Sequence, residues 1–148
     1  MSPSSPKMPD HQIRLRGPWH ASATATSDLG ERRVATVHMD RAAETLADFL
    51  PDGFVGQVRL ERAFHRPSGL SERSRVRLSI AGNLSGTLGV NDHALGSIAP
   101  GANTFDLTPI LEAHNRIQLD VLIDARGTTR QPKWDMRLEI FDGVAGDP

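Results

Sequence analysis

At 148 residues, with no internal repeat and no long polar linker, the chain has the size of one domain. Seventeen basic side chains against eighteen acidic ones leave a formal charge of −1, which gives no electrostatic footprint for nucleic acid or for an anionic membrane surface. Cysteine is absent, so disulfides and thiolate chemistry are excluded, and no apolar run approaches the length of a membrane span.

Residues 1–11, rich in Ser and Pro, read as a flexible lead. They hold no apolar run of the kind a signal peptide needs, which points to a cytoplasmic location. Ile13-Arg14-Leu15-Arg16 is a short strand stopped by Gly17-Pro18, with Trp19 directly after it. The stretch from Ser22 to Asp28 is small and polar and reads as a loop or an exposed strand, and Arg33 to Val37 as a second strand. Between Arg41 and Leu50, the residues Ala43, Leu46, Ala47 and Leu50 fall at helical spacing, which predicts a short helix ending before Pro51.

Phe54 to Phe64 is the next strand, with Val58, Leu60 and Phe64 on one face and Arg62 in phase with them. Val76, Leu78 and Ile80 mark another. Leu88 and Val90 alternate with Thr87 and Gly89 and lead into Asn91-Asp92, two residues that tolerate the positive φ a two-residue hairpin demands. A returning arm runs to Gly96. After Phe105-Asp106-Leu107, Thr108 is placed to cap a one-turn helix with Pro109 at its first position, and the helix is predicted to end near His114-Asn115. Ile117, Leu119, Val121 and Ile123 then alternate along a long strand, and Trp134, Met136, Leu138 and Ile140 make the closing one after a loop at 127–132. The whole predicts an all-β, jelly-roll β-sandwich of about eight antiparallel strands with one or two short helices, a single domain over 12–142 and a loose tail over 143–148.

VRLERAFHRP (Val58 to Pro67), VRLSIAG (Val76 to Gly82), VNDHALG (Val90 to Gly96), FDLTPIL (Phe105 to Leu111) and NRIQLDV (Asn115 to Val121) occur in this order. In order and spacing they resemble the N-terminal sugar-binding domain of glycoside hydrolase family 2, a galactose-binding-domain-like jelly roll. IRLRGPW (Ile13 to Trp19) resembles that domain's opening strand. Asp92 stands where the family usually has the hairpin glycine, and His114 where it usually has glycine before the Asn. Enzymes of the family carry their catalytic acid and nucleophile on a separate barrel, so the resemblance implies a stand-alone, non-catalytic module with no cofactor. It also marks the turn at Asp106 as the partner of Arg62, because a buried guanidinium without a partner costs several kcal/mol. That pair is expected to be a structural ion pair, with a ligand clamp as the alternative.

Among motifs of chemistry, the Gly-rich phosphate loop, the Gly-x-Ser-x-Gly elbow and His-Glu-x-x-His are all missing. The six histidines, at 11, 20, 38, 65, 93 and 114, lack His-x-His spacing and predict no metal site. Carbohydrate sites use an aromatic face against the sugar ring and Asn, Asp, Arg or His for its hydroxyls. The ligand-binding candidates are therefore Trp19 and Trp134, the two indoles, with Asn91, Asp92 and His93 at the hairpin tip. A plug for Trp19 and a core position for Trp134 are the structural alternatives. Three readings of function follow: a carbohydrate-binding module, a structural or protein-interaction module that pairs with another protein or with itself, and an enzyme whose site is not recognisable in sequence.

Overall fold

Aliphatic side chains at every second position build the strands. The computed structural model describes residues 8–16, 19–27, 30–39, 54–124 and 134–143. Its strands are β1 (His11–Arg14), β2 (Trp19–Ser27), β3 (Gly30–Met39), β4 (Val55–His65), β5 (Arg75–Gly82), β6 (Gly86–Val90), β7 (His93–Ile98), β8 (Gly101–Asp106), β9 (His114–Asp124) and β10 (Trp134–Phe141). They form two antiparallel sheets, one of order β1-β10-β5-β8 and one of order β3-β2-β4-β9-β6-β7. The result is an all-β sandwich, with ten strands described where about eight are expected from sequence.

The core lies between the layers. Val58, Leu60 and Phe64 of β4, Leu88 and Val90 of β6, and Ile117, Leu119 and Val121 of β9 are buried from one side. Val76, Leu78 and Ile80 of β5 and Trp134, Met136, Leu138 and Ile140 of β10 meet them from the other. Each such side chain contributes about 1.5–3 kcal/mol when fully removed from water.

The alternation fails to reveal β2. Ala21 and Ala23 are fully buried, and the strand is hydrogen-bonded on both sides, to β3 and to β4. The described part of the stretch read as a loop or exposed strand, Ser22 to Ser27, thus belongs to an interior strand of the sheet. Its inward residues are too small to stand out against the intervening Ser and Thr. The helix expected at 41–50 and the loop at 127–132 lie outside the described residues, as do most of the lead and tail.

The β6–β7 hairpin matches expectation. Val90 pairs with His93 across a two-residue loop in which Asn91 and Asp92 have φ of 52° and 65°, the pattern of a type I′ turn. Gly86, opposite Val121, allows β6 to lie close on β9, since a Cβ there would collide with the Asp120 carbonyl. The β6–β7 register shifts at Leu88/Gly89, so that Leu88 faces Gly96, Gly89 faces Ala94 and Leu95 is left as a bulge.

The helix after β8 differs from its prediction. It is a single 3₁₀ turn, Thr108–Ile110, with Leu107 in the capping position and no side-chain cap, and it ends at Leu111. Thr108 Oγ1 is occupied elsewhere, accepting from Val76 N at 2.9 Å and donating to Val76 O at 3.4 Å. Asp106 Oδ1 takes the Thr108 N–H at 3.0 Å instead. His114 and Asn115 open β9 rather than closing the helix.

Candidate functional site

The outward face of the six-stranded sheet holds a depression of about 780 Å³ beside the β6–β7 hairpin. Strand phase decides its lining. Inward Leu88 and Val90 send Thr87 and Gly89 of β6 outward, and inward Ile117 and Leu119 send Arg116, Gln118 and Asp120 of β9 outward. Ser97 of β7 closes the far side. Gly89 pairs with Gln118 and Thr87 with Asp120, so a residue without a side chain sits between polar neighbours and forms the floor.

The polar groups are held in place. Asp120 accepts from Arg59 Nε at 2.9 Å and from Gln118 Nε2 at 3.3 Å. The Asp120 side chain is 14% exposed while Arg59 is 50% exposed, so the carboxylate is the fixed member of the pair. That hydrogen bond holds the Arg59 guanidinium above its ordinary pKa range, more than burial lowers it. Arg116 lies 3.8 Å from Glu61. Carboxylate, amide, hydroxyl and guanidinium on one rigid face can serve a ligand rich in hydroxyls.

Asn91 and Asn115 anchor the rim. Asn91 Nδ2 donates to Ile110 O at 3.0 Å and to Asn115 Oδ1 at 2.8 Å, and its Oδ1 accepts from Arg116 N at 2.9 Å. Asn115, 3% exposed, also accepts from Glu112 N and donates to Glu112 O and Phe64 O. The Asn91 amide expected to touch a ligand is therefore spent on the fold. Asp92 and His93 are exposed at the hairpin tip and line the depression.

The other sequence candidates are placed differently. Trp19 is fully buried and Trp134 is 8% exposed. Their rings meet edge to face at 6.1 Å and 84° inside the sandwich. They are core residues in the inward phase of β2 and β10, and neither offers a platform to a sugar. Trp19 Nε1 has no hydrogen-bond partner among the described residues.

Arg62 and Asp106 are not brought together. Arg62 is on β4, donating from Nε to Arg16 O and from Nη1 to Ala63 O, and burial lowers its pKa below the ordinary arginine range. Asp106 is on β8 in the other sheet, exposed and opposite Arg77. Carbonyl oxygens, rather than a carboxylate, compensate the half-buried guanidinium.

Sequence reading missed Thr87, Gln118, Asp120 and Arg116 because polar residues in the outward phase of a strand read as a solvated face. The available signal was Gly89 in that same phase, a gap in an otherwise covered surface. Among the described residues, no three His, Asp or Glu side chains gather to hold a metal ion.

No family model and no curated protein sequence matches the chain. Solved structures do. The FMN-binding β-glucuronidase of Faecalibacterium prausnitzii matches 86% of this chain and 22% of its own, at 17% identity and a TM-score of 0.61. The β-glucuronidase of Bifidobacterium dentium, complexed with coumarin-3-O-glucuronide, matches 90% of this chain and 31% of its own, at 17% identity and a TM-score of 0.57. A glycosyl hydrolase family 2 member from Bacteroides cellulosilyticus matches 87% and 20%, at 14% identity and a TM-score of 0.53. The chain has the fold of a domain of family 2 glycosidases. It spans from about a fifth to under a third of the length of these enzymes. The family 2 fold accounts for the two sheets and says nothing by itself of what the Gly89 depression holds.

Proposed function

We propose that this chain is a non-catalytic carbohydrate-binding module and that it takes its sugar in the depression over Gly89. The observation that carries the reading is the floor itself. A glycine among Thr87, Ser97, Gln118 and Asp120 leaves room for a pyranose-sized ligand among donors and acceptors, of which Gln118 and Asp120 hold each other in place. The likeness to glycosidase domains supports a carbohydrate-related role, and the lack of an indole at the surface makes this a site of hydrogen bonds rather than of stacking.

The test is a glycan array followed by calorimetry on the hits, repeated with Gly89→Val and Asp120→Ala. Binding by the parent chain that both substitutions abolish, with the circular dichroism spectrum unchanged, is expected. Failure of any glycan to bind, or binding indifferent to both substitutions, sinks the reading.

A second reading, a protein-interaction module, draws on Leu122. It is 66% exposed on the same outward face of β9, opposite Gln57 of β4. Light scattering of the chain alone, and of Leu122→Glu, separates self-association from the monomer that the sugar reading allows.

A further inference from the structure

Histidines that are far apart in sequence become neighbours when β4 pairs with β9. His65, the last residue of β4, lies directly opposite His114, the first of β9. The next pair outward, Arg66 and Ala113, shares a backbone hydrogen bond of 3.0 Å. His65 and His114 are therefore a non-hydrogen-bonded pair, the kind in which cross-strand side chains lie closest. Their rings stand edge to face with centroids 4.9 Å apart, and both side chains are exposed and can turn a nitrogen toward a common point.

That separation has a chemical meaning. Two imidazoles that ligate one ion at about 2.0–2.1 Å keep their centroids about 4.5–5.2 Å apart, across angles from square-planar to tetrahedral. The observed pair already lies within this range. We propose that His65 and His114 form a two-imidazole site for a divalent transition-metal ion of the zinc, copper and nickel class, with water completing the coordination.

Imidazole selects that class over magnesium or calcium. The two rings stand on adjacent strands of one sheet, so little motion is needed to bring both to the ion. No third His, Asp or Glu converges there among the described residues, which makes the site open and exchangeable. Arg66 directly follows His65, and Arg116 stands two residues beyond His114. Arg116, on the same strand face as His114, is offset by Glu61 at 3.8 Å. Since His114 also lines the Gly89 depression, the ion would stand at its rim. The inference is independent of whether a sugar binds below it.

The experiment uses the full chain without an affinity tag, titrated with zinc chloride and with copper chloride in a non-coordinating buffer. Calorimetry gives stoichiometry, and nitrogen-correlated imidazole spectra of the zinc form show which rings respond. One ion per chain is expected, with the His65 and His114 signals moving first and together. His65→Asn and His114→Asn should each weaken binding about a hundredfold, because the second ligand no longer acts at the high local concentration of a chelate. His20→Asn should leave it unchanged. A melting temperature that rises with zinc in the parent chain, and in neither of the first two variants, adds support. The proposal is overturned if either of those variants binds as the parent does, or if all imidazole signals drift without saturating below millimolar metal.

Discussion

Asn115 Oδ1 accepts from Asn91 Nδ2 at 2.8 Å, and through that contact the β6–β7 hairpin, the 3₁₀ turn and the start of β9 are held as one unit. Asn115→Ala is expected to destabilise the chain by about 2–4 kcal/mol, since it strands a buried partner at Phe64 and part-buried ones at Glu112 and Asn91. Asn115→Asp should be worse at neutral than at acidic pH. An ionised carboxylate cannot donate to the Phe64 and Glu112 carbonyls, and protonation restores one donor. Urea unfolding at the two pH values measures both effects, and an unchanged midpoint in Asn115→Ala refutes the anchoring role.

Asp92 has a φ of 65°, a conformation that glycine adopts without the clash an L side chain meets. Asp92→Gly should therefore raise stability by about 0.5–1 kcal/mol, and Asp92→Val should lower it by at least as much. Thermal unfolding of the two variants decides the sign.

The burial of both indoles predicts a blue-shifted tryptophan emission that iodide hardly quenches until the chain unfolds. Glycans that bind over Gly89 should leave that emission unmoved. Quenching of the native protein as strong as that of the unfolded chain would contradict the core placement of Trp19 and Trp134.

Arg62 and Asp106 should behave as strangers. Arg62→Ala is expected to cost about 1–2 kcal/mol by leaving the Arg16 and Ala63 carbonyls without their donor. In a double-mutant cycle with Asp106→Ala the coupling should lie within about 0.5 kcal/mol of zero. A coupling several times larger would restore the ion pair.

Two glycines of β6 should respond unequally. Gly86→Ala drives a Cβ into the Asp120 carbonyl and should destabilise by about 1–3 kcal/mol. Gly89→Ala meets only the His93 carbonyl, at 3.3 Å, and should be milder. Denaturant midpoints of the pair check the order, which also decides whether Gly89 can be varied to probe the depression without unfolding it.

How much of this was legible depended on side-chain size and on distance along the chain. Long aliphatics announced β4, β5, β9 and β10, and Asn91-Asp92 announced its turn, because period and φ preference are local properties. Alanine carries too little hydrophobic contrast, so the interior strand that holds Ala23 read as a loop or an exposed strand. Thr108 looked like a cap because its sequence neighbours fit one, yet its hydroxyl found the Val76 backbone, 32 positions away, a competitor no local pattern contains. The same holds for the site. The outward residues of β9 became a lining only when Gly89 was set opposite them, and the Arg62 partners turned out to be carbonyl groups, which a sequence does not distinguish from one position to the next.

The Leu95 bulge has a consequence for the protein in bulk. β7 is one of the two edge strands described for its sheet, with a free rim that a foreign segment would copy in order to extend the layer. One extra residue spoils the even spacing of amides and carbonyls along that rim, so an incoming straight strand loses registry after a residue or two. The scaffold thereby frustrates end-to-end growth from this edge of the layer.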